Sequence, residues 1–232
     1  MSDIKEQFGN VSQKYDSQRE FLIPCFQDFY TACMPLVKSL THAKTALDIG
    51  AGTGLFSQFI YNEKPDLKFT LLDLSGQMLN VAKERFEGES NFEYIELDFG
   101  KDPLPGKYDL IISGLAIHHL DDADKAKLYK NIYQALNDGG LFINADQVAG
   151  RNQLFDSLYK YNWRETVTHS GLDHEAIVQA FERTKLDKLA PLDTQLQMLE
   201  KAGFNDVDCI YKNMNFVVFG GFKDENVETA VI

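Results

Sequence analysis

Between Thr45 and Phe56 the chain reads Thr-Ala-Leu-Asp-Ile-Gly-Ala-Gly-Thr-Gly-Leu-Phe, and few folds accept such a run. An apolar, strand-like stretch ends in an acid, and a turn with three glycines at alternate positions follows at once. A second apolar run, Phe69-Thr-Leu-Leu-Asp73, ends in another acid 23 residues after Gly50. That pairing predicts a doubly wound α/β fold with a nucleoside site at the strand ends. Glycines let the backbone approach the ligand, and the second acid accepts a pair of ribose hydroxyls. The glycine spacing narrows the ligand. A dinucleotide turn needs a third glycine where Leu55 stands, which disfavours a nicotinamide oxidoreductase. No lysine follows the turn, which excludes a P-loop. Asp48, two residues before Gly50, repels pyrophosphate and suits the cationic end of a ligand.

S-adenosylmethionine carries an ammonium and a sulfonium and no phosphate. The stretch resembles motif I of the class I S-adenosylmethionine-dependent methyltransferases, an apolar pair, Asp, an apolar residue and then Gly-x-Gly-x-Gly. The resemblance covers about residues 43–148 and 191–223, is specific only in its combined motifs, and extends more distantly to carboxy-S-adenosylmethionine synthases. It implies that Gly50, Ala51, Gly52 and Gly54 approach the methionine part of the cofactor. Asp73, followed by Leu74, would take the ribose hydroxyls, and Met78 would pack the adenine ring. Asp98 would accept the adenine amino group and Phe99 would offer its backbone N–H. Ser113, Gly114 and Leu115 would flank the methionine moiety. Tyr15 and Arg19 fall in Lys14-Tyr-Asp-Ser-Gln-Arg19, similar to an N-terminal segment that closes over the cofactor. Residues 1–20 are therefore expected to order when it binds. In phosphobase methyltransferases, which the chain resembles distantly, a histidine in an Ile-Leu-His-Leu setting works with a lid tyrosine. His119 aligns with that histidine and Tyr15 with the tyrosine, while His118 replaces the leucine. His118, His119 and Tyr15 are thus the catalytic candidates. Trp163 and Arg164 are the acceptor-site candidates.

The pattern predicts one domain over 1–232. Residues 1–42 form a helical lid, 43–148 the cofactor core, 149–190 a helical cap, and 191–232 a last helix and a terminal hairpin. Strands are predicted at 45–49, 68–73, 91–97, 108–113, 141–145, 207–211 and 216–222, with helices between most of them. Asn137-Asp-Gly-Gly140 should close a helix begun at Asp122. A short turn at Lys212-Asn213 should make the last strand antiparallel, since a parallel crossover needs a longer connection. The expected fold is therefore a Rossmann-like seven-stranded sheet. Leu154, Leu158, Tyr161 and Val167 should dock the cap on it.

Net charge is −12 over 232 residues, which weighs against broad contact with nucleic acid or an anionic membrane. No apolar run approaches membrane-spanning length, and the polar start has no signal-peptide pattern. Cys25, Cys33 and Cys209 form no Cys-x-x-Cys and are expected to be reduced and buried in a cytoplasmic protein. A metal is not expected: adjacent His118 and His119 should point apart, and no third ligand has suitable spacing. The reading is methyl transfer from S-adenosylmethionine to a small-molecule acceptor, by a monomer or homodimer. A base is needed only for a protonated acceptor. A carboxy-S-adenosylmethionine synthase or a non-catalytic cofactor-binding regulator are the alternatives.

Overall fold

The computed structural model describes residues 15–224; residues 1–14 and 225–232, and the side chain of Tyr15, lie outside the described residues. Seven strands form one sheet in the order β3-β2-β1-β4-β5-β7-β6. They are β1 (Thr45–Ile49), β2 (Lys68–Asp73), β3 (Phe92–Glu96), β4 (Tyr108–Gly114), β5 (Leu136–Gln147), β6 (Asn205–Asn213) and β7 (Phe216–Phe222). β1 to β5 run parallel, and β7 is antiparallel to β5 and β6. β1, β2 and β4 are nearly all buried, as strands covered on both faces must be. One face packs a core around Phe56, Leu71, Ile112 and Val218, and the other a core around Ile49, Ile111, Tyr129 and Phe219. Among the described residues no helix is long and apolar enough to cross a membrane.

Among the described residues three short helices precede the sheet: α1 (Tyr15–Leu22), α2 (Phe26–Thr31) and α3 (Met34–Ser39). Pro24 falls between α1 and α2, and Pro35 in the first turn of α3, where the missing N–H costs nothing. Phe29 meets Phe216 edge to face at 5.7 Å and seats this layer on β7. Next come α4 (Leu55–Glu63), α5 (Gly76–Arg85) and α6 (Asp122–Ala135). Ser75 caps α5 by accepting from Met78 N at 3.3 Å, and Asp121 caps α6 through Asp124 N at 3.0 Å. After β5 the cap helices are α7 (Gln153–Thr168) and α8 (His174–Arg183), then α9 (Leu192–Ala202) leads to the hairpin.

Three local expectations change. Asn137-Asp-Gly-Gly140 belongs to β5 rather than to a helix end, because Leu136 already pairs with Tyr108 and the Asn137 amide donates to Asp109 at 2.7 Å. Lys212 and Asn213 pair with β7, so the hairpin turns at 214–215 instead. Only Val167 of the four supposed docking residues is buried; Leu154, Leu158 and Tyr161 are exposed. The cap is anchored elsewhere, by Trp163 Nε1 donating to Leu22 O at 2.9 Å. All three cysteines are free, and Cys209 is only half-buried.

Candidate functional site

The order of the sheet reverses between β1 and β4, and a crevice opens at their carboxyl ends, where α/β folds bind ligands. The cleft there is lined by the glycine turn, the end of β2 and the loop after β4. The glycine turn forms its floor. Gly52 has φ +57° and open space where a side chain would stand. Gly54, which caps α4, is a glycine for another reason: a Cβ there would come within 2.8 Å of the Phe86 ring. Gly50 and Ala51 line the cleft beside Gly52.

Asp48 lies below this turn and is 1% exposed. Its Oδ2 accepts from Ser57 Oγ at 2.7 Å, while Oδ1 has no partner among the described residues. Burial, with the charge of Asp73 adding to it, raises the Asp48 carboxyl from its ordinary 3.8 to about 7. Asp73 accepts Gly52 N and Ser75 N, each at 2.8 Å, one on each oxygen. Burial raises its pKa, and those N–H bonds oppose the rise. Leu74, Met78 and Phe99 complete that end of the cleft.

Gly114 and Leu115 line the opposite wall. Ser113 does not; its Oγ donates to Ile49 O at 2.8 Å and ties β4 to β1. Asp98 is also outside the lining, accepting Gly100 N at 3.1 Å and pairing with Lys101 at 3.0 Å. Asp16 in α1 accepts Thr53 Oγ1 at 2.6 Å and pairs with Arg85, whose Nε donates to Thr53 O at 2.8 Å. This clasp holds α1 over the glycine turn. Arg19, one turn on, is half-buried and lines the cleft, and desolvation lowers its pKa to about 10.

A second cavity adjoins the first. Arg19, Leu115 and His119 border both. Trp163 and Arg183 line its far side. Arg164 does not: it is exposed and stacks on the Phe181 ring at 4.7 Å.

His118 and His119 do not point apart. A 3₁₀ turn, Ile117–His119, brings their rings to 4.1 Å between centroids. Asp187, 68 residues beyond His119, stands 3.5 Å from His118 Nε2 and 3.4 Å from His119 Nδ1. His118 Nδ1 donates to Asp146 Oδ1 at 2.5 Å. Burial works against the His118 charge, but Asp146 and Asp187 outweigh it and push the pKa up to about 10. His119 goes the other way. Burial, then the charge of His118 and of Arg19, hold it well below the ordinary value, so it is neutral at pH 7.

The family model described as a methyltransferase domain matches residues 47–142. Across nearly the whole chain, 95% of it and 96% of the relative, it is 23% identical to a carboxy-S-adenosyl-L-methionine synthase of Nautilia profundicola. With the enzyme of that name from Staphylococcus epidermidis it is 30% identical over 172 residues, 73% of this chain and 75% of the relative. The chain belongs to the class I S-adenosylmethionine-dependent methyltransferases. A solved phosphoethanolamine N-methyltransferase 2 of Haemonchus contortus with S-adenosyl-L-methionine superposes with a TM-score of 0.54 at 27% identity. It covers 74% of this chain, which spans 35% of that longer one.

The enzyme's cofactor is therefore S-adenosylmethionine, and the residues present fit it. The cleft offers an orphaned buried carboxylate oxygen on Asp48 for a cation and an open backbone face at Gly52. Four groups escaped sequence reasoning as site members. Tyr30, whose burial raises its pKa to about 12, lines the first cleft but looks like one more residue of an apolar helix stripe. Asp146, Arg183 and Asp187 reach the histidines or their cavity from distant segments, and no local spacing announces them. Arg183 was visible only as a cation in the cap.

Proposed function

We propose that the first cleft holds the cofactor and that the second cavity receives a small-molecule methyl acceptor bearing an anionic group. The wall shared by Arg19, Leu115 and His119 carries this reading, because a nucleophile in one cavity meets a methyl in the other only there. S-adenosylmethionine, when bound, supplies an electrophilic methyl on its sulfonium. Asp48 and the backbone at Gly52 hold its amino-acid end, Asp73 its ribose, and Met78 and Phe99 its base. The protein's remaining task is to align the acceptor and exclude water. Trp163 and Arg183 hold the acceptor's body and charge. Deprotonation of an acceptor hydroxyl or amine falls to His119. Its Nδ1 faces Asp187, which leaves Nε2 to accept the proton and Asp187 to stabilise the imidazolium. His118 is already protonated and serves to position the turn. Free cysteines and an acidic surface support a cytoplasmic setting.

The test is S-adenosylhomocysteine release with a panel of small phenols, hydroxy acids and amines. Turnover with none of them, alongside tight cofactor binding, would refute the reading. A second reading, carboxy-S-adenosylmethionine synthesis, is favoured by Arg19 and Arg183 bordering the cavity beside the methyl end, where an added carboxylate would need a cation. The mass of the ligand that copurifies separates the two.

A further inference from the structure

His118, His119 and Asp187 converge more closely than a histidine base and its carboxylate partner alone would need. Their nearest donor atoms all lie within 4.8 Å of one another. The two Asp187 separations, 3.4 and 3.5 Å, are long for charge-assisted hydrogen bonds, which run about 2.7–2.9 Å. They match the edge of a tetrahedron around zinc, about 3.3 Å for ligand bonds of 2.0–2.1 Å. The surroundings also resemble a metal centre. His118 directs Nδ1 at Asp146, the outer carboxylate that metal-bound histidines commonly engage, and this leaves Nε2 for the ion. The loop carrying Asp187 is fixed: Lys188 N donates to His118 O at 2.8 Å. The fully buried Lys125 donates to Lys188 O at 2.5 Å and to Leu120 O at 2.7 Å. All three candidate ligands line the second cavity.

We propose that His118 Nε2, His119 Nδ1 and an Asp187 oxygen bind one divalent first-row transition-metal ion, of the zinc or iron(II) class, with its open position facing the acceptor cavity. Two histidines and one carboxylate with a vacant position form a ligand set that such ions favour. A divalent ion there would share the cavity with Arg19 and Arg183. The ligand that such positive charge favours is an oxyanion, so the acceptor class is a hydroxy acid or an acidic phenol or enol. Held by His118, His119 and Asp187, the ion would act as a Lewis acid that lowers the pKa of an acceptor hydroxyl, so that its O–H proton would be lost to solvent as the acceptor enters. His119 then assists deprotonation as a ligand rather than as the proton's destination. This last role rests on the proposed methyl transfer; the metal site itself does not.

The experiment is equilibrium dialysis of the chelator-treated full chain against zinc, with cobalt as a spectroscopic probe and S-adenosylhomocysteine binding measured in parallel. The expected result is about one zinc per chain, weakened at least about 10²-fold in Asp187→Asn. Asp146→Asn, which removes only the outer carboxylate, should weaken it about 10–100-fold. Cobalt should give ligand-field bands without a thiolate charge-transfer band. Should Asp187→Asn fail to fold, perturbation of the His118 and His119 ring resonances by cobalt in the unaltered chain replaces it. Overturning results are no stoichiometric zinc, zinc unaffected by Asp187→Asn, thiolate bands, or unmoved His118 and His119 resonances. S-adenosylhomocysteine binding with no metal would sink this proposal and leave methyl transfer standing.

Discussion

Asp48 makes cofactor binding release a proton over a defined pH window. Without ligand its carboxyl has a pKa of about 7, because burial penalises its charge. A cationic amino-acid end beside the unpartnered Oδ1 favours the ionised form and returns the pKa toward 3.8. Below about pH 7, binding must therefore expel that proton. Affinity should rise about tenfold per pH unit between about pH 4 and 7 and flatten above. At pH 6 about 0.9 proton should leave per cofactor bound, and at pH 8 about 0.1. Calorimetry in buffers of different ionisation enthalpy reads both numbers directly. The same shift has a sign for stability. A raised carboxyl favours the fold fully below its unfolded value, and that contribution is lost as pH rises through about 7. The shift from 3.8 to about 7, at roughly 1.4 kcal/mol per pH unit, amounts to about 4 kcal/mol at most. Asp48→Asn should therefore melt higher than the natural chain at pH 8 without ligand, bind the cofactor more weakly, and release no proton at pH 6. Buffer-independent heats at pH 6 in the natural chain would refute this reasoning.

Three further outcomes follow from the site. Asp73→Ala should weaken S-adenosylmethionine and S-adenosylhomocysteine alike by calorimetry, each lost charge-assisted bond being worth roughly 1.5–3 kcal/mol. His119→Ala should lower kcat by about 10²–10⁴ in an S-adenosylhomocysteine-release assay while cofactor affinity holds. Asp16→Ala opens the clasp at Thr53, 2.6 Å away, and should weaken the cofactor and raise hydrogen exchange in α1 with little change at α7.

The fold was legible because its signals are local. Apolar runs closed by Asp48 and Asp73, and a terminal pair joined by a turn too short for a crossover, leave few topologies. Much of the lining of the first cleft was legible too, since Gly50, Gly52, Asp73 and Met78 sit at fixed offsets along consecutive elements. Asp98 and Ser113 sat near the expected places, but their side chains serve Gly100 and Ile49. A loop acid has a backbone N–H within reach two residues on, and a buried serine takes the nearest carbonyl. The acceptor side was largely illegible. The histidine pair gains its character from Asp146 and Asp187, which only the crossing of β5 and the return of the cap loop bring near. A one-dimensional rule that neighbouring side chains diverge fails in a 3₁₀ turn, where the backbone is wound more tightly. Trp163 lines the second cavity, while its neighbour Arg164 faces outward because successive helix positions diverge by about 100°.

The wall between the two cavities divides the ways this enzyme can evolve. Trp163, Ala180, Arg183 and Thr184 border only the second cavity, the proposed acceptor side, and all lie in the cap that follows β5. Drift in that stretch can reshape what is methylated without disturbing the donor. Arg19, Leu115 and His119 have no such freedom, because each faces both chambers. A library confined to the cap should therefore yield variants of altered acceptor range that still bind the donor, whereas changes at Arg19 or Leu115 should cost both at once and changes at His119 should cost turnover.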